Sequence, residues 1–246
     1  MIVVAALVWL STICQNIYAN ALTIKLATTD WCPYSCPEDD SVNGLAHDYV
    51  THILAGYEMQ ADIVSYPWAR AIRQVNLGKR HGLLTAVHSE SPNLMFTKHP
   101  MMSYQMCFYG LTALKWQYTG KDSLADVSLA VIAEYGYGTP VDEYLFNNQF
   151  NDRVIELSGD HGLPRLISLV TSKRADVFIE DKNVINWYLK HEPSNAAKQL
   201  KTLGCLDETP FYLALSPNLD WAPEVIKLLE QGFKNETNQS KITKSL

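Results

Sequence analysis

The chain has 246 residues, 47% of them hydrophobic and 19% charged, with a formal net charge of −6 at pH 7. That length is enough for one large domain or two small lobes with real cores, and an acidic balance without a clustered basic face excludes a nucleic-acid-binding surface. Beyond the amino terminus no apolar run approaches the length of a membrane-spanning helix.

Residues 2–10 are almost wholly apolar, and Tyr18-Ala19-Asn20-Ala21 closes them with an A-x-A that a signal peptidase would cut after Ala21. Residues 1–21 therefore read as a signal peptide and the rest as an exported, soluble protein. No Lys or Arg precedes the apolar region, which points to a start codon further upstream. A retained amino-terminal anchor is the competing reading, for which the apolar stretch is short. Thr12 and Ile13 lack the small residues that a lipoprotein signal places before its cysteine, here Cys14.

After the leader comes an alternating strand at 22–27, then a turn-rich segment carrying Trp31 and Tyr34 beside Pro33 and Pro37. Gly44 opens an amphipathic helix that runs to about Gly56. A strand at 61–66 leads to a helix starting at Pro67-Trp68, with proline at its favoured first position, and ending near Gly78. Strands follow at 82–87 and 104–113. The pattern then restarts: strand 128–134, the turn 135–140, helix 141–147, strand 153–157, helix 163–172 and strand 175–179. Such alternation implies parallel sheets flanked by helices. A last strand, 211–215, and a helix, 223–234, lack partners in the second series and are assigned to the first. The expected fold is thus α/β with two lobes, 22–108 plus 212–246 and 109–211, each a mainly parallel sheet with helices. The chain crosses twice between them, near 108–114 and 206–212. The polar tail after Gly232 reads as frayed, and the sequons at Asn235 and Asn238 as chance.

Of five cysteines, four follow the leader, an even number in an oxidising compartment, which favours disulfides over metal or redox roles. Cys32 and Cys36 are close enough to bridge within the loop that holds Trp31 and Tyr34. Cys107 and Cys205 form a second candidate pair, whose bonding spacing alone does not establish. An aromatic-bearing loop between the first strand and first helix sits where open α/β sheets bind ligands.

Several short matches along the chain resemble the bacterial extracellular solute-binding proteins of family 3, the periplasmic polar amino-acid-binding proteins of ABC importers. The loop aromatic-x-Pro-aromatic reads Trp31-Cys32-Pro33-Tyr34. The Gly-x-x-x-Asp that opens the first helix reads Gly44-Leu45-Ala46-His47-Asp48. Phe96-Thr97-Lys98-His99-Pro100 matches the segment before the crossover strand, and the run from Ala175 to Asp181 looks like the strand whose terminal Asp receives a ligand's amino group. The resemblance implies a type II periplasmic-binding-protein fold, a periplasmic monomer without cofactor, a small-molecule ligand, and a membrane permease or sensor as partner. It places Trp31, with Tyr34 in the same loop, and Trp68 as aromatic cleft walls. Thr85 becomes a hydroxyl for a carboxylate, Thr139 a helix start for an anion, and Asp181 the ammonium acceptor. The family's carboxylate-gripping arginine is missing, since no arginine lies between Arg80 and Arg153. Arg70, two residues after Trp68, is the candidate substitute; otherwise the ligand has no α-carboxylate.

Each assignment has a plainer counterpart: Trp31 and Trp68 as core, Asp181 as the cap of the helix that follows its strand. His47, His52, His81, His88 and His99 lack metal-ligand spacing. No nucleophile elbow or reactive-cysteine signature is present, which favours a binding protein over an enzyme. Glu90 beside His88 is a potential acid–base pair, and a periplasmic enzyme on the same scaffold is the alternative reading.

Overall fold

The computed structural model describes residues 21–36, 43–159, 161–191 and 197–234. Apart from Ala21, the expected signal peptide lies outside the described residues, as do both sequons of the polar tail. The first sheet starts with β1 (Thr23–Thr28), whose alternation turns Ile24 and Leu26 inward. Helix α1 (Leu45–Ala55) buries Ala46, Tyr49, Val50, Ile53 and Leu54, one stripe at helical spacing. It returns the chain to β2 (Gln60–Ser65), parallel to β1. Helix α2 (Trp68–Asn76) then leads to β3 (Gly82–Ala86), which enters on the other side of β1 and is buried along its whole length. Two short strands, β4 (Met95–Phe96) and β5 (Met102–Tyr104), precede β6 (Met106–Leu111), which belongs to the second sheet.

That second sheet continues with β7 (Leu129–Ile132), helix α3 (Val141–Asn147), β8 (Val154–Leu157), helix α4 (Gly162–Thr171), β9 (Val177–Asp181), helix α5 (Lys182–His191) and β10 (Leu200–Cys205). The chain then returns to the first sheet as β11 (Thr209–Leu215) and ends on helix α6 (Ala222–Phe233). The strand orders are β2-β1-β3-β11-β4, with β5 also on β11, and β10-β6-β9-β7-β8. The fold is α/β and two-lobed, as the element pattern implies.

Both sheets are mixed where mainly parallel sheets were expected. The strands joined by helices, β1 to β3 and β7 to β9, run parallel, whereas β6 and β11 arrive from the other lobe and pair antiparallel with their neighbours. A strand entering without a helical crossover is free of the constraint that makes βαβ units parallel. The first passage between sheets is also earlier than expected. Strand β5 still pairs with β11 while β6 pairs with β9, so the change falls at Gln105 and not within 108–114. The return lies between Cys205 and Thr209.

Side chains bind the two passages to each other. The Gln105 amide donates to the Leu206 carbonyl at 3.0 Å, and Cys107 and Cys205, opposite each other in the β6–β10 ladder, are joined by a disulfide. Apolar packing runs through the junction, from Trp31, Tyr104 and Phe211 on one side to Phe108 and Ile179 on the other. Among the described residues no helix is long and apolar enough to cross a membrane.

Candidate functional site

A cavity of about 710 Å³ lies between the carboxyl ends of the parallel strands of both sheets, the position at which open α/β sheets present their loops to a ligand. From the first lobe it is walled by the loops after β1 and β2 and by Trp68 at the start of α2. From the second it is walled by Ile132 at the end of β7 and Tyr135 after it, Gly159 after β8, Glu180 at the end of β9, and Trp187 of α5. A side chamber of about 30 Å³, room for a single water, shares Thr29, Trp31, Trp68 and Tyr135 with it and reaches Thr85 and Glu90.

The loop after β1 is built tightly. Trp31 and Ser35 exchange backbone hydrogen bonds at 2.8 and 3.1 Å, and the Cys32–Cys36 disulfide closes the same turn. The carbonyls of Pro33 and Tyr34 accept from Leu45 and Ala46, satisfying the first N–H groups of α1 without a side-chain cap. This close approach requires Gly44: its φ is 100°, and an added Cβ would meet the Tyr34 carbonyl oxygen at 2.6 Å. The Trp31 ring packs on Tyr34, Tyr104 and Phe211 with centroids 4.5, 5.5 and 5.6 Å away, while its N–H crosses to the other lobe and donates to Glu180 Oε1 at 3.1 Å.

The candidates from the sequence divide into two groups. Trp31, Trp68 and Thr85 stand on the cavity walls. The other four do not. Tyr34 is fully buried, its hydroxyl accepting from Asn183 across the lobes at 2.8 Å. Arg70 is exposed on the outer side of α2, over the Tyr66 ring. Thr139 is exposed too, and the helix start beside it is already occupied: the Asp142 carboxylate accepts from the N–H groups of Tyr137 and Gly138 at 2.8 and 3.0 Å. Asp181 is wholly buried and takes the plainer role, accepting from Asn183 and Val184 at the start of α5 and from Gln105 at the first passage.

The residue that faces the cavity from the end of β9 is Glu180, which sequence reasoning missed. Adjacent strand residues point to opposite faces, so committing Asp181 to the helix start sends Glu180 to the cleft. The available signal was the order Asp-Lys-Asn-Val at a helix start, which reads as an N-cap. Both hydrogen bonds to Glu180, from Trp31 and from the Asp181 N–H at 2.8 Å, go to Oε1. Burial, aided by the adjacent Asp181, pushes its carboxyl up to about 7.

Glu90 is a second acid in the site, and it also bridges the lobes. Its carboxyl accepts from the Gly136 N–H at 2.6 Å and from Val87 at 3.4 Å. Gly136 is needed there, since a Cβ would come within 2.8 Å of Glu90 Oε1. Burial raises this carboxyl to about 8 in spite of those donors. The buried Trp68 indole N–H has no hydrogen bond of ordinary geometry, although it lies close enough to Glu90 to help lower its pKa. His88 does not pair with Glu90: it stacks on Phe96 at 4.0 Å, edge-on to Tyr212. Among the described residues no group of three or more His, Cys, Asp and Glu is placed to hold a metal.

The fold is the two-lobed α/β fold of the periplasmic-binding-protein type. An ancestral arginine-binding protein bound to arginine shares the fold at a TM-score of 0.72 and 15% identity, over 90% of this chain and 95% of that one. A histidine kinase sensor domain described as similar to periplasmic binding proteins matches at 0.72 and 12%, over 91% and 93%. An ancestral amino acid-binding protein, described as a precursor of cyclohexadienyl dehydratase, matches at 0.67 and 17%, over 90% and 92%. No protein-family profile and no curated protein sequence matches the chain.

Proposed function

We propose that this is an exported, periplasmic solute-binding protein whose two lobes, joined at Gln105 and between Cys205 and Thr209, close over a small polar ligand and deliver it to a membrane transporter. The observation that carries this reading is the cavity between the carboxyl ends of both sheets, with Trp31 and Trp68 from one lobe and Glu180 from the other on its walls. Aromatic enclosure with a few fixed polar groups is the usual composition of a small-molecule site. Closure about the two passages would be a hinge motion. The fold shared with a kinase sensor domain supports a second reading, in which closure signals to a membrane receptor.

Mass spectrometry of small molecules retained by the purified protein, followed by calorimetric rebinding, tests the proposal. One compound that rebinds and is recovered unchanged supports it. Chemical conversion of the compound would favour the enzyme reading, for which the shared fold of a dehydratase precursor gives a motive.

A further inference from the structure

The walls of the main cavity are acidic and aromatic. Among the described residues that line it, Asp30 and Glu180 are carboxylic, and none is Lys or Arg. Glu180 is 1% exposed, and both its hydrogen-bond donors converge on Oε1, which leaves Oε2 for whatever enters. Three indoles line the same cavity: Trp31, which donates to Glu180, and Trp68 from the first lobe, and Trp187 of α5 from the second. No described lining residue offers a ligand carboxylate a guanidinium or ammonium, those of Arg70 and Arg80 lying over the ring of Tyr66, and a carboxylate beside Glu180 would lie against a buried acid. A ligand cation would meet aromatic surface and a carboxyl that lacks any basic partner.

We propose that the cavity takes an organic cation without a carboxylate, a primary or quaternary amine, with Glu180 as its counter-ion. This rests on the solute-binding reading and specifies the ligand class for it. Glu180 accepts from the Trp31 N–H of the loop after β1, and it acts electrostatically with Asp181, its neighbour on the opposite face of the strand, and with the hydroxyls of Tyr34, Tyr109, Tyr135 and Tyr137. Asp30, His161 and His191 also line the cavity. None of the groups acting on Glu180 supplies a fixed positive charge.

A buried carboxyl titrating at about 7 is half protonated at neutral pH. The incoming cation favours its ionised form, so the proton leaves to solvent as the ion pair forms, and charge balances. Affinity for the cation should therefore rise as pH goes from 6 to 8, with protons released on binding.

The test uses matched probes on the purified protein: agmatine with arginine, tyramine with tyrosine, cadaverine with lysine, choline with glycine betaine. In thermal shift and calorimetry at least one carboxylate-free member should bind ten-fold or more tightly than its partner. Calorimetry in two buffers of different ionisation enthalpy should register the released proton. In Glu180→Gln, which keeps an acceptor for Trp31, that affinity should fall ten-fold or more and lose its rise with pH, while the unliganded melting temperature at pH 5, where the parent's carboxyl is protonated, is kept. Equal or tighter binding of the amino-acid member overturns the inference and leaves the solute-binding reading standing. So does undiminished, still pH-dependent binding in Glu180→Gln. Silence of all four cations also overturns it: a neutral or anionic compound retained by the purified protein would then spare the broader reading, and the lack of any would remove both.

Discussion

Two carboxylates one peptide bond apart, Asp181 and Glu180, occupy opposite sides of the end of β9 and have opposite employments. Asp181 faces the junction of the lobes, where three backbone N–H groups from two elements converge on it. Glu180 faces the cleft, where one indole and one backbone N–H share a single oxygen. The junction is thus satisfied within the protein while the cleft wall keeps unused hydrogen-bonding capacity. A buried polar group with all its partners is structural; one with spare lone pairs beside a cavity is available to a ligand.

The largest effect that would sharpen this contrast is expected from the junction disulfide. Cys107 and Cys205 are 98 residues apart in sequence, and closing a loop of that length stabilises by about 4 to 5 kcal/mol on the chain-entropy estimate. Cys107→Ala with Cys205→Ala should lower the urea midpoint accordingly. Strand β6 retains β9 on its other side, so ligand affinity measured below the new midpoint should change little. A double variant as stable as the parent would remove the bond from the description of the junction.

Next comes Asp181→Ala. It strips an acceptor from three N–H groups at a wholly buried site, and orphaned buried donors cost about 1 to 3 kcal/mol each before relaxation. A net loss of about 3 kcal/mol in denaturant unfolding is expected, with the more conservative Asp181→Asn losing less because its carbonyl still caps α5. If Asp181→Ala instead kept its stability and lost ligand affinity, Asp181 and Glu180 would have to exchange roles.

How far these roles could be read in the sequence depends on what fixes each one. Alternating burial and helical stripes are local, and α3 falls on 141–147 as its pattern indicates. Strand β10 was missed because it is an edge strand with mostly half-exposed residues and a register shift between Thr202 and Cys205, so it shows no clean alternation. The run 104–113 reads as one strand because its apolar residues are nearly continuous. The break at Gln105 follows from long-range pairing of β5 with β11 and β6 with β9, which no window of sequence contains. At the site, position alone marks only the loop of Trp31 and Tyr34 after the first strand, whereas Trp68 and Thr85 follow from the resemblance. Asp181 and Thr139 were placed by resemblance, and a helix starting one residue away, or an Asp142 filling its own helix start, redirects such residues without changing the pattern.

The difference in pH dependence of stability between the parent and Glu180→Gln probes the cleft side of the comparison, because the Asp181 carboxyl, also raised by burial, is common to both. In the folded protein Glu180 titrates at about 7, above its ordinary 4.5, because burial penalises its charge. The folded state holds this proton more tightly than the unfolded chain. Its stabilising share is complete below about pH 4.5 and is lost as pH rises through 7, by on the order of 3 kcal/mol for a shift of this size. Unfolding free energies at pH 5 and pH 8 should therefore fall less steeply in Glu180→Gln than in the parent. Parallel profiles would mean that Glu180 is solvated in the free protein.

The smallest effect is expected from the Cys32–Cys36 disulfide, and it separates stability from binding. The loop it closes is short, with a sequence separation of 4, so its chain-entropy contribution is about 2 kcal/mol. The same turn is also held by the paired backbone bonds of Trp31 and Ser35, so the measured loss from Cys32→Ala with Cys36→Ala should be smaller still. What the bond adds is rigidity at the residue whose indole reaches across to Glu180. Ligand affinity should therefore drop by a larger factor than the folding equilibrium does, as read by calorimetry with whichever compound the protein retains. If the two fall together, or if stability falls alone, the turn serves the core of the first lobe and Trp31 belongs with Asp181 on the structural side of the comparison.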